Sequence, residues 1–171
     1  MMSDKAPPIS WPSRTLPWLL PSVLTLAPQS STCIFVSPWV QDISLKVGKS
    51  FGLTSNLDDQ VSLSALIRWL HNEHSKRFFL YLRADEIEKN LPRLRAFREA
   101  TKGILETRGV PNLHAKMVIT DQVIIETSAN LLERSYYVNV ENVTLRPNPY
   151  QKAEVFINHF REQQGGISRF P

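Results

Sequence analysis

The sequence of 171 residues has one cysteine, Cys33, and four histidines. A lone thiol excludes an internal disulfide, and no Cys/His cluster has the spacing of a zinc site. Cys33 stands among Thr32, Ile34 and Phe35, so a core thiol is expected rather than a reactive one. No apolar run approaches the roughly 20 residues of a membrane-spanning helix. There is no internal repeat and no low-complexity segment. The stretch LPWLLPSVLTLA (16–27) follows Lys5 and Arg14 and could pass for a signal-peptide core. Pro17 and Pro21 interrupt it, and LAPQSS is a poor cleavage site. A short packed helix is expected there, in a cytoplasmic protein without stable membrane association.

What is present describes one domain spanning 1–171. Apolar residues make up 42% of the chain, enough for a real core at this length. The net charge of +4 permits a polyanionic partner without demanding one. Residues 1–14, with Pro7, Pro8 and Pro12, read as an irregular arm. TCIFVSPW (32–39) predicts a buried strand stopped by Pro38; RFFLYLRA (77–84) and GILETRGV (103–110) predict two more. Leu63, Leu66, Ile67 and Leu70 fall at helical spacing and predict a helix over 62–74. Ala153, Phe156, Ile157 and Phe160 repeat the pattern, and 91–102 reads as a basic helix. Residues 46–60 read as a loop. HAKMVIT and VIIETSA, joined by Asp121 and Gln122, predict a tight hairpin, and YVNVENVTL (137–145) a further strand. Strands and helices interleave, which predicts an α/β domain: a layered α/β/α sandwich around a mixed central sheet.

Polar residues recur in pairs within these apolar segments: His114 with Lys116, Ser128 with Asn130, Asn139 with Glu141. Side chains two apart on a strand share a face. Burying a lone polar group is costly unless it is hydrogen-bonded. Three such pairs on neighbouring strands are best explained by convergence on one site at the strand ends. The residue types suit a phosphodiester. Lysine is a point charge for phosphate oxygens, and Ser and Asn donate to them. Histidine can attack phosphorus or carry a proton, and a carboxylate can fix an imidazole's orientation.

At these residues the sequence resembles the phospholipase D superfamily. Its signature, H-x-K-x4-D followed by G-S-x-N, reads here as His114-Ala-Lys116, four residues, Asp121, then Thr127-Ser128-Ala-Asn130. Asn139-Val-Glu141 looks like the family's downstream Asn/Glu element. FVSPWV near the start and LRAFREATKGILETRGVPNLHAK look like its first strand and its lead-in to the motif. The resemblance covers roughly residues 31–160 and departs at Thr127, where the family has glycine. It implies a phospholipase D-like fold and a phosphodiester hydrolase. His114 would be the nucleophile forming a phosphohistidine, and Lys116 and Asn130 would bind phosphate with Ser128 in support. Glu141 would orient His114, and Asp121 would brace the motif away from the phosphorus. No metal or other cofactor is implied. The general acid would be the same histidine of a second motif copy, and this chain has one copy. His74-Ser-Lys76 is a decoy: Tyr81 stands where Asp should be, and no S-x-N follows. A homodimer with a shared site is therefore expected.

Small size and basic charge favour nucleic acid as substrate, DNA ahead of RNA. Lys89, Arg93, Arg95, Arg98 and Lys102 crowd one predicted helix. They are either a solvated basic face or a track for the phosphate backbone. Little aromatic residue is interleaved there, so no base-stacking platform is expected on that helix. Two alternatives stay open: a phospholipase or phosphatidyl transferase, and a nucleic-acid-binding or assembly subunit of a larger complex.

Overall fold

The computed structural model describes residues 9–12, 15–47, 60–84, 91–139 and 141–163, of which 9–12, 91, 93, 161 and 163 in backbone only. In chain order the elements are β1 (Ile9–Pro12), α1 (Leu16–Leu26), β2 (Thr32–Val36), β3 (Ser44–Lys46), β4 (Gln60–Ser62), α2 (Leu63–His74) and β5 (Arg77–Arg83). They continue with α3 (Leu91–Ala100), β6 (Leu105–Val110), β7 (Met117–Thr120), β8 (Val123–Thr127), α4 (Glu133–Tyr137), β9 (Asn142–Pro147) and α5 (Ala153–Gln163).

Among the described residues seven strands form one mixed sheet in the order β1-β9-β8-β7-β2-β5-β6. β2, β5 and β6 run parallel, and β7, β8, β9 and β1 continue the sheet antiparallel. Alternation along the strands splits the core into two layers. Cys33, Phe35, Phe78, Leu80, Val118, Ile125 and Val143 face α1, α2, α3 and α4; Ile34, Val36, Tyr81, Ile119 and Ile124 face α5. The helices supply the spacing that this needs: Leu63, Leu66, Ile67 and Leu70 on α2, and Ala153, Phe156 and Ile157 on α5, are all buried. Each fully buried side chain of this size contributes roughly 1.5–3 kcal/mol. The domain is thus the layered α/β/α sandwich with a mixed sheet that the interleaving predicts.

Three local expectations need correction. The N-terminal arm is not wholly irregular: Ile9–Pro12 add an edge strand, with Ile9 opposite Leu145 and Pro12 opposite Asn142. Proline within sheets is found on edge strands, where a lost N–H need not break a ladder bond. The 46–60 loop begins and ends in a two-stranded ribbon, β3 with β4; its residues 48–59 lie outside the described residues. Finally, the strand predicted over 137–145 begins only at Asn142. Before it the chain makes the short helix α4, which buries Tyr136 completely in the first core layer. The alternating pattern of 137–145 misled because burial of Tyr136 from a helical turn outweighs local strand preference.

Cys33 is fully buried, and burial pushes its thiol up to about 12. That is the expected core thiol. Lys76 of the decoy pair is also buried, with its ammonium donating to Leu24 O (2.5 Å) and Thr25 O (3.2 Å) at the end of α1. It closes a helix rather than serving a site. Among the described residues no helix is long and apolar enough to cross a membrane.

Candidate active site

The sheet has two ends, and the candidate residues gather at one of them. β7 and β9 begin there and β2, β5 and β8 finish there, because Val36 pairs with Met117, Met117 with Glu126 and Thr127 with Val143. Two further rungs extend the ladder past the named strands. Thr127 N donates to Lys116 O (3.1 Å), and Ser128 N donates to Asn142 O (3.1 Å). Lys116, Thr127, Ser128 and Asn142 are therefore on neighbouring chains about 5 Å apart.

The pairs share this edge but not one sheet face, which corrects the reason given for their convergence. Val118 and Ile125 belong to one core layer, Ile119 and Ile124 to the other. Continued outward, the alternation sends His114 and Lys116 with Val118, and Ser128 and Asn130 with Ile124. The strand ends, rather than a common face, bring the pairs together. Position at the carboxyl ends of parallel strands is also where open α/β sheets take ligands.

Hydrogen bonds fix most of the group. Ser128 Oγ donates to Glu141 Oε2 (2.5 Å) and accepts from Asn142 N (3.0 Å), and Asn139 Nδ2 donates to Glu141 Oε1 (3.1 Å). Glu141 therefore holds Ser128 and Asn139 in the single chain; its carboxylate is not on His114. Lys116 Nζ donates to His114 O (2.9 Å), and His114 is exposed. Asn130 is half-buried, and its Oδ1 is buried without a hydrogen-bond partner. A buried unpaired acceptor costs about 1–3 kcal/mol.

Asp121 lies at the opposite end of β7. Its Oδ1 accepts from Ala153 N (2.8 Å), the first residue of α5, and Oδ2 accepts from Thr32 N at a long 3.4 Å. It ties the β7–β8 hairpin to α5 and β2, away from His114. Thr127 is accommodated without strain. Its φ is not in the left-handed region, and its Oγ1 accepts from Ala129 N (3.0 Å), tightening the turn that carries Ser128 and Asn130.

Ser37 is a positioning residue that the sequence reading missed. It is buried just after β2, donates through Oγ to Trp39 O (2.7 Å) and accepts from Leu131 N (3.1 Å). Gln41 N adds a bond to Leu131 O (2.9 Å). These contacts clamp the segment following Asn130 against the end of β2. The signal available was a small polar residue inside FVSPWV, immediately before Pro38.

The basic helix is not brought to this edge by any described contact. α3 packs on α2 through Leu94 and Phe97 and leads into β6, the outer strand remote from β8 and β9. Arg95, Arg98, Glu99 and Lys102 are exposed around an open hollow of about 240 Å³ floored by the buried Leu94; Lys102 pairs with Glu99 at 3.6 Å. Lys89, and the side chain of Arg93, lie outside the described residues. Among the described residues no three His, Cys, Asp or Glu side chains are grouped as metal ligands would be.

No protein-family model and no curated protein sequence matches this chain. Solved structures do. Nuc from Salmonella typhimurium, a phospholipase D family member, aligns over 96% of this chain and 99% of its own, with a TM-score of 0.58 and 15% identity. NucT from Helicobacter pylori aligns over 96% of this chain and 100% of its own, with a TM-score of 0.56 and 8% identity. Phosphatidylserine synthase from Haemophilus influenzae Rd KW20 has a TM-score of 0.64 at 16% identity, over 95% of this chain but 38% of the synthase. Likeness at such identities speaks of architecture, and with the sheet order and layers above it shows that this chain has the phospholipase D-like fold.

Proposed function

We propose that the protein is a metal-independent phosphodiesterase that cleaves nucleic acid, DNA ahead of RNA, through a phosphohistidine in a site shared by two chains. The observation that carries the reading is the gathering of His114, Lys116, Ser128, Asn130 and Glu141 at one sheet edge. Lys116 neutralises the phosphate oxygens and Asn130 donates to them through Nδ2, a stabilisation that grows as the phosphorus adds a ligand. Ser128, held by Glu141 and Asn142, supports them.

In the first step an imidazole nitrogen of His114 bonds to phosphorus and the bond to the leaving oxygen breaks. That oxygen takes a proton from a second imidazole. Water then attacks the phosphohistidine, the second imidazole accepts the proton, and His114 is released. The chain has four histidines, and the other three are placed elsewhere. His71 Nδ1 bonds with Lys76 O (2.9 Å) and His74 packs edge-on against Trp69, both at the end of α2; His159 lies on α5 against Tyr150. The second imidazole is therefore supplied by another copy, across an isologous interface along the β7–β9 edge.

The test mixes wild-type and His114→Ala chains in equal amounts after co-refolding. A shared site predicts about a quarter of the wild-type turnover, the random fraction of dimers with both histidines. About half would mean that each chain works alone. His114→Ala by itself should lose turnover by orders of magnitude with its fold intact, since the imidazole is exposed. Turnover should persist in chelator.

A further inference from the structure

On α1, β3 and α4 the structure carries two exposed aromatic rings that share one lysine. Trp18 of α1 is 45% exposed and Tyr137 of α4 is 39% exposed. Lys46 Nζ lies 5.5 Å from the Trp18 ring centre and 6.0 Å from that of Tyr137. Large aromatic side chains at the surface are not needed for this core, which is already filled by Tyr136 and the helix leucines. The group is also mounted rather than loose. Tyr137 Oη donates to Ser44 O (2.8 Å), and Glu133 Oε1 accepts from Ser44 N, so both ends of α4 are tied to β3.

We infer that Trp18, Tyr137 and Lys46 form a stacking subsite for bases of a single-stranded nucleic acid whose backbone runs to the His114 edge. The inference rests on the phosphodiesterase reading for its substrate class, and adds that the preferred strand is unpaired. Ring faces bind any base by stacking, and the ammonium between them meets a phosphate of the same strand. Duplex DNA has its base faces already stacked on each other and cannot offer them. The chain keeps Tyr137 near two of the candidate residues: it stands seven residues after Asn130 and four before Glu141. Four residues span at most about 14 Å, within reach of a short stretch of strand. The helix α3, rich in arginine but poor in exposed aromatics, lacks this combination.

The experiment measures binding, in a His114→Ala background so that nothing is cleaved. The ligands are a fluorescent single-stranded oligothymidylate, an abasic strand of equal length, and a duplex, each followed by anisotropy. Trp18→Ala and Tyr137→Leu should each weaken the oligothymidylate about 5- to 150-fold, the value of one stacked base. The abasic strand and the duplex should bind all variants alike. Trp18→Phe, which keeps a ring, should restore most of the affinity, and thermal melts establish that each variant folds. Equal affinity of wild-type and variants for the oligothymidylate overturns the subsite. So does a loss as large on the abasic strand, or a loss that appears instead as a weaker dimer in sedimentation or as weaker capture by phosphatidylglycerol vesicles. Because binding alone is read, a protein without any turnover would overturn the catalytic reading and leave this one to its own result.

Discussion

Replacing Asp121 with alanine separates its two possible roles. The carboxylate sits at the start of α5, where Oδ1 accepts from Ala153 N at 2.8 Å and Oδ2 from Thr32 N at 3.4 Å. Losing an oxygen that caps a helix N-terminus costs about 0.5–2 kcal/mol, and losing a negative charge there a further 0.3–1 kcal/mol. The neighbouring bonds of Asn148, to Thr120 O (2.9 Å) and from Asn148 N to Gln122 O (2.7 Å), remain and limit the damage. A loss of about 2 kcal/mol follows, or about 4–8 °C in Tm for a domain of this size. Asp121→Asn keeps an acceptor and loses the charge, so it should fall between. The assay is a thermal melt of the three proteins, paired with turnover at a temperature well below every transition. Turnover should stay within about threefold of wild type, because Asp121 is at the end of β7 remote from His114, and a bracing residue acts on stability and not on the transition state. An unchanged Tm with turnover reduced by orders of magnitude would refute the reasoning and put Asp121 on the phosphate.

Three other outcomes are expected. Ser128→Ala removes the donor to Glu141 and the acceptor for Asn142 N, which should lower kcat about 10- to 100-fold through misplacement of the phosphate ligands, with partial rescue by Ser128→Thr in single-turnover assays. Lys76→Met leaves Leu24 O and Thr25 O without their buried donor and should cost about 1–3 kcal/mol in denaturant unfolding, while His74→Ala leaves turnover unchanged, as befits the decoy pair. Alkali should unfold the protein partly through Cys33. Its thiol is raised from 9.0 to about 12 when folded, so its contribution is complete below pH 9 and is lost as pH climbs toward 12, at about 1.4 kcal/mol per pH unit. Burial raises Tyr136 in the same sense, while burial lowers Lys76, whose effect runs oppositely below pH 10.5. Stability measured between pH 9 and 11 should therefore fall less steeply in Cys33→Ala than in wild type; equal slopes would remove the thiol from the account.

The sequence by itself determined the layered α/β class, because its apolar periods are long and unambiguous. Helical spacing over 63–70 and 153–160 lies within α2 and α5, and the strands predicted at 32–39 and 77–84 contain β2 (Thr32–Val36) and β5 (Arg77–Arg83). It also determined which residue types cluster along the chain, since His114, Lys116, Ser128 and Asn130 fall within 17 positions. What lies between those clusters was decided only by the tertiary structure. The pleat period suggested that the polar pairs share a face, but cross-strand register sends them toward opposite layers and joins them at an edge instead. Glu141 was read as the partner of His114, whereas the rung between Ser128 and Asn142 delivers it to Ser128. Tyr137 looked like the first residue of a strand until the burial of Tyr136 pulled the chain into α4 and turned its neighbour outward beside Trp18. Local propensities act over a few residues and can be read along the chain. Register, burial of one large side chain and contacts between residues 94 or more positions apart, such as Ser37 with Leu131, depend on the whole sheet and cannot.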